Sequence, residues 1–204
     1  LAKTAQRTDL DTYVRCAAAA ALQTDAPPGL LVTVQQAEGA AAAPWRAAPC
    51  ALAAAQLGDT AAVSRLGAIL AEGDLPLDIR FLDDVGASGF TALVPFLIEA
   101  SMLVEDALLP AVGAALLQLG SARGESLLKD GLTSSNPERQ LESLDFLADI
   151  EDESATSALR RAENLTSGDA RTYAGLILMG RNAGDPDLAE QAATSSNREL
   201  RALA

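Results

Sequence analysis

Two acidic clusters, Asp83-Asp84 and Asp149-Ile150-Glu151-Asp152-Glu153, are the first places to look for chemistry. Closely spaced carboxylates can share a proton or hold a cation. Both clusters fall at the end of an apolar helical stretch or in the turn after it, where solvated charge is expected, so they read as surface turns. The second also lacks the alternating ligands and the glycine of an EF-hand loop. Cys16 and Cys50 are the only cysteines, and the chain has no histidine to activate either as a nucleophile. The missing histidine also removes the commonest general base and a common metal ligand. No Gly-x-Ser-x-Gly elbow, phosphate loop or Gly-x-Gly-x-x-Gly fingerprint occurs. The expectation is no catalytic residue, no cofactor-binding residue, no metal ligand, and a protein that is not an enzyme.

Charge narrows the partners. The chain carries 28 acidic and 15 basic residues, a net −13, and only Lys3 and Lys129 are lysines. Such a surface repels phosphate backbones and anionic lipid. Arg160-Arg161 sits among Glu151, Asp152, Glu153 and Glu163, so no basic patch emerges and nucleic acid is not an expected partner. No apolar run approaches the roughly 18–20 residues of a membrane span, and none is expected to insert. Each cysteine reads first as a small buried hydrophobe. The alternative is a disulfide between neighbouring repeats in an oxidising compartment, since 34 residues separate the two. Both cytoplasm and periplasm fit, with cytoplasm the first reading. Asn164-Leu165-Thr166 matches a glycosylation sequon, a weak three-residue signal.

The elements that position these residues are helices. Hydrophobic residues make up 49% of the 204, yet aromatics only 3%. Alanine fills the difference; it is the best helix former, and its small side chain lets helix backbones approach closely. Such a core suits thin helical layers.

A pattern then recurs: an acidic or amide residue, an apolar residue followed by arginine, then alanine or leucine at helical spacing. The arginines stand at 15, 46, 80, 139, 171 and 201, with gaps of 31, 34, 59, 32 and 30 residues. The 59 is close to two steps, and the missing member falls near Leu108-Leu109. Between these helices lie second amphipathic stretches: Leu30 to Ala37, Ala61 to Ala71, Thr91 to Ala100, Glu125 to Leu132, Ser154 to Leu165 and Leu188 to Ala193. The β-branched run around Val32-Thr33-Val34 suits a strand locally, but the repeat around it calls for helix. Leu57-Gly58-Asp59, Leu119-Gly120-Ser121 and Ala183-Gly184-Asp185 place glycine at a helix end and a capping residue after it. Asn136-Pro137 and Asp185-Pro186 put a cap residue before a first-turn proline.

The pattern resembles the HEAT-like repeat of bacterial phycobilisome-lyase-type proteins. Val14-Arg15, Ile79-Arg80, Glu138-Arg139 and Leu200-Arg201 carry the resemblance, with the Leu57-Gly58-Asp59 and Gly184-Asp185-Pro186 junctions. It implies an all-α, right-handed α-α superhelix of about six helix pairs, one array over residues 1–204. Leu1 in place of methionine and a last helix cut short suggest a fragment of a longer chain. By the same resemblance the arginine helices line a concave face. Asp11, Arg15, Arg46, Asp78, Arg80, Arg139, Asp169 and Arg171 are then structural ties between repeats.

Arrays of this kind hold partners through contacts spread along their length. The expected function is a non-catalytic scaffold for a protein partner that presents basic or polar residues. Tyr13, Trp45, Glu138, Glu142, Asp145 and Tyr173, on arginine helices, are the candidate partner-binding residues. Trp45 reads equally as a cap over the first layers. Two other functions fit the pattern: a structural spacer within a larger protein, and an accessory subunit of a bilin-lyase-type enzyme.

Overall fold

The computed structural model describes residues 1–7, 11–20, 22, 26–41, 43–71, 78–185 and 187–203. Pro186, expected at a first helical position, and Ala21, expected near the end of the first arginine helix, lie outside them. Among the described residues there are fourteen α-helices and no strand. A short α1 (Ala2–Gln6) precedes six pairs: α2 (Thr12–Ala20) with α3 (Leu30–Gly39), α4 (Pro44–Gln56) with α5 (Thr60–Ala71), and α6 (Ile79–Ala87) with α7 (Val94–Ala100). Then come α8 (Leu109–Gln118) with α9 (Ala122–Leu132), α10 (Pro137–Asp149) with α11 (Glu153–Leu165), and α12 (Gly168–Gly180) with α13 (Asp187–Ala193). The last element is α14 (Arg198–Leu203). Every second stretch expected between the arginine helices is helical, including Leu30 to Val34. There Leu30 and Val34, four residues apart, both point into the core and set a helical period.

The chain divides into two compact units, Leu1–Val104 and Glu105–Ala204. In the first, α4 is the hub and packs on α2, α3 and α5. It buries Ala48, Ala51, Ala53, Ala54 and Ala55 around Leu52. Methyl-sized contacts on most of its circumference let three helices close on it, which is where the alanine-rich composition goes. Cys16 of α2 and Cys50 of α4, both fully buried, are joined as a disulfide with Cα atoms 4.9 Å apart. The two cysteines are thus buried, as first read, and also bonded to each other. Arg65 of α5 forks onto Glu38 of α3 at 2.8 and 3.0 Å and reaches Asp59 at 3.0 Å, while Gln35 donates to Asp59 at 2.9 Å.

In the second unit the first helices of successive pairs touch (α8 with α10, α10 with α12, α12 with α14), as do the second helices α9 and α11. Leu128, Leu132, Leu144, Leu147, Leu159 and Leu178 form one core with the alanines between them. Every residue from Pro110 to Leu117 is buried, so α8, the one first helix without its arginine, has no solvent side in this stretch for a charge to occupy. Its partner approaches very closely. A Cβ on Gly124 of α9 would run into the backbone of α8 at Leu117 N and Gly113 O, so only glycine fits there.

Helix ends follow the expected punctuation at two of three junctions. Gly58 and Gly120 take the left-handed conformation, φ +98° and +78°. Asp59 N–H donates back to the Ala54 carbonyl at 2.9 Å, and Ser121 N–H to the Leu116 carbonyl at 2.8 Å, closing Schellman-type ends. The third junction differs. Asn182, φ +57°, is the left-handed residue after α12, and Gly184 is needed instead because a Cβ would meet Met179 N and Gly175 O. Asp78, Ser121, Asn136 and Asp152 accept from first-turn N–H groups of α6, α9, α10 and α11.

Candidate partner-binding surface

In the second unit four candidate residues meet. Asn136 caps α10 through Glu138 N–H at 2.9 Å, and Pro137 sits in the first turn, so the helix starts in a fixed register. Ser143, Leu144 and Leu147 then face the core. The opposite stripe carries Glu138, Glu142 and Asp145 at i, i+4 and i+7, all exposed. Tyr173 of α12, half-buried, crosses to this stripe and donates its phenol proton to Asp145 Oδ1 at 2.5 Å. An aromatic ring and three carboxylates thus share one edge of adjacent first helices.

Two arginines brace that edge. Arg139 reaches back to Asp106, ahead of α8, with Nη1 3.5 Å from Oδ2 and Nη2 donating to the carbonyl at 3.4 Å. Arg181, beyond α12, donates to the last carbonyls of α10, Leu147 and Ala148, both at 2.8 Å, and to Thr156 Oγ1 of α11 at 3.1 Å. Asn197 donates to Asp169 at 3.1 Å, one step further on. Of the residues expected to tie repeats together, Arg139 and Asp169 bond to residues outside their own helix pairs, and Arg15 Nε donates to Ala5 O of α1 at 3.4 Å. Asp11 and Asp78 work within their own helices, accepting from Tyr13 N and Arg80 N. Arg181, which no repeat pattern singled out, makes more of these bonds than any of them.

In the first unit Trp45 opens α4 with 41% of its surface exposed and Arg46 stacked 4.9 Å from its ring centroid. It caps no layer. Val14 and Ile79, which also precede an arginine, are likewise exposed, at 45% and 47%.

Tyr13 stands elsewhere, over a groove of about 230 Å³. Three helices line it, each with one face: Tyr13, Ala17 and Ala20 from α2; Pro49, Leu52 and Gln56 from α4; Phe81, Asp84 and Ala87 from α6. The steps of three and four residues are those of a single helical stripe. Tyr13 Oη donates to Asp84 Oδ2 at 3.3 Å, so α2 and α6 are bridged. The Tyr13 phenol is pushed up to about 12, first by partial burial, then by the charge and hydrogen bond of Asp84, with Asp78 adding and Arg80 opposing. Asp84 as a residue is exposed, but its carboxyl is partly withdrawn from water, and that raises it above the usual carboxylate range. Asp83 and Asp78 push the same way, and only the Tyr13 hydrogen bond pulls it down. Gln56 Oε1 is shielded from solvent and has no hydrogen-bond partner among the described residues.

Asp84 therefore revises the sequence reading of Asp83-Asp84 as a solvated turn: both lie within α6, and one of them faces a groove. The signal was present in the stripe Phe81, Asp84, Ala87, visible only when set against the stripes of α2 and α4. Among the described residues no group of three or more histidine, cysteine or acidic side chains is placed to hold a metal ion, and no helix is long and apolar enough to cross a membrane. Comparison with protein-family models and with curated proteins gives no match.

Proposed function

We propose that the chain is a HEAT-like helical scaffold that holds a protein partner along the face of its first helices, without catalysing a reaction. In this reading the helix pairs wind as a right-handed superhelix, and the first helices line its concave side. The observation that carries it is the pairing of tyrosine with aspartate on that layer in each unit, Tyr13 with Asp84 and Tyr173 with Asp145. Both pairs keep an aromatic ring partly accessible beside an exposed carboxylate on first helices. Aromatic anchors beside charged groups are what protein recognition favours. The excess of carboxylates on these faces selects a partner with basic or polar contact residues.

Photo-crosslinking tests this. The photoreactive amino acid benzoylphenylalanine is placed at exposed Val14 (α2) or Glu142 (α10), and in control proteins at exposed Gln36 (α3) or Arg160 (α11). The expected result is one discrete partner adduct from the first-helix positions only, weakening as salt rises. Adducts of equal yield from α3 and α11, or none from α2 and α10, sink the proposal.

A further inference from the structure

Away from the first helices, we infer that the pocket between α9 and α11 is a binding site for a small alkanoate, a carboxylate on a linear apolar chain. The pocket encloses about 270 Å³, near the lower end of what small-molecule sites occupy. Leu128 and Leu132 of α9, one turn apart, and Ala158 of α11 are buried core residues that line it. Leu165, at the end of α11, lines it with 46% of its surface in water. An alkyl chain laid here covers apolar surface that the described residues leave open.

The polar part of the lining selects the head group. Glu125 and Lys129 come from α9, Arg161 and Asn164 from α11. Arg161 Nη2 lies 2.7 Å from Glu125 Oε1, which joins the two helices and balances those two charges. Asn164 donates its amide to the Arg160 carbonyl at 2.8 Å. Lys129 is left over, exposed and without an ion pair among the described residues. The pocket thus holds two cations against one acid, in a chain of net charge −13 with only two lysines. An ammonium has three donors and no acceptor, and a guanidinium has N–H groups beyond one carboxylate contact, so the missing partner is an anionic acceptor. One carboxylate balances the one uncompensated cation. A phosphate monoester carries nearly two charges, which Glu125 and the acidic chain oppose. An alkylammonium meets Lys129 as a like charge. A carboxylate beside Lys129, with its chain over Leu128, Leu132 and Leu165, answers both halves of the lining.

The test uses the full chain, isotope-labelled for NMR at neutral pH, titrated with octanoate below its micelle-forming range. Octanamide and octylammonium serve as the uncharged and charge-reversed controls. Octanoate is expected to shift the signals of Leu128, Leu132 and Leu165 progressively to saturation, and the two controls to leave them in place. Lys129→Gln is expected to weaken octanoate by about fivefold, since the ammonium is exposed to water, and Lys129→Arg to restore most of that loss. Far-ultraviolet dichroism and a melting curve confirm that both variants are folded. No shifts from octanoate, equal shifts from either control, shifts as large at the exposed Val32 or Met102, or an unchanged Kd in Lys129→Gln each overturn the inference.

Discussion

Tyr13 and Asp84, 71 residues apart in the chain, meet side chain to side chain, the phenol donating to the carboxylate at 3.3 Å. The phenol of Tyr13 is pushed up to about 12 and so holds its proton more tightly folded than unfolded. Its contribution is fully present below the ordinary tyrosine value of about 10 and is lost as pH rises from there through about 12. In a Tyr173→Phe background, absorbance titration of the one remaining tyrosine should show a midpoint near 12. A midpoint at the ordinary value would mean that the contact does not form in solution.

Asp84 carries the opposite lesson. Its carboxyl is raised in the folded chain, so keeping it ionised at neutral pH costs stability, and that cost is relieved as pH falls into the raised range. Asp84→Asn keeps an oxygen for Tyr13 to donate to and removes the desolvated charge. Its melting temperature at pH 7 should equal or exceed that of the parent protein. A clear drop would show that the charge itself stabilises the fold.

The Cys16–Cys50 bond closes a loop of 34 residues, worth about 2–4 kcal/mol in the chain-entropy account. Replacing both cysteines by alanine should lower urea stability by that order. Reductant should lower the stability of the parent protein to a similar extent and leave the double variant unchanged. Because both sulfurs are held in the disulfide, the protein should show no free thiol, folded or unfolded, until reductant is added.

Arg181 and Arg139 make a contrasting pair. Arg181 satisfies two carbonyls at the end of α10 and reaches α11, half-sheltered from water, so Arg181→Ala should cost about 1.5–3 kcal/mol. Arg139 pairs with an Asp106 that is 82% exposed, and Asp106→Ala should cost below about 1 kcal/mol. Chemical denaturation of the two variants side by side tests the order; a reversal would refute it.

Gly124→Ala places a methyl group on the backbone of α8, which cannot swing aside as a flexible side chain can. The loss should reach about 1–3 kcal/mol or more. Gly67→Ala meets the ring of Phe96 instead and should cost less if that ring rotates. Equal melting temperatures for the two variants would contradict the close approach of α8 and α9.

Helix type and order were legible because they depend on local period. The alternation of arginine helices with second stretches, the caps at Ser121 and Asn136, and the left-handed Gly58 and Gly120 all answer to neighbours within a few residues. What escaped was set by distant partners. Asp84 looks like any surface carboxylate until α2 and α4 lie against α6. Gln56 reads as a helix-end amide, and nothing near it in sequence says that its oxygen is buried. Arg181 follows no repeat position because it serves carbonyls more than thirty residues back. The candidate residues on α10 and α12 were legible as a stripe, and their junction through Tyr173 and Asp145 was not.

The same disulfide also governs how the first unit can come apart. Chains of helix pairs that touch mainly their neighbours tend to fray from an end inward, one pair at a time. With Cys16 tied to Cys50, α2 cannot peel away from α4 by itself, so the first two pairs open together or stay closed. Ala17 and Pro49, each next to a bonded cysteine, belong to the groove walls. The groove is thus held at the far end of the unfolding ladder, among the last places in this unit to breathe.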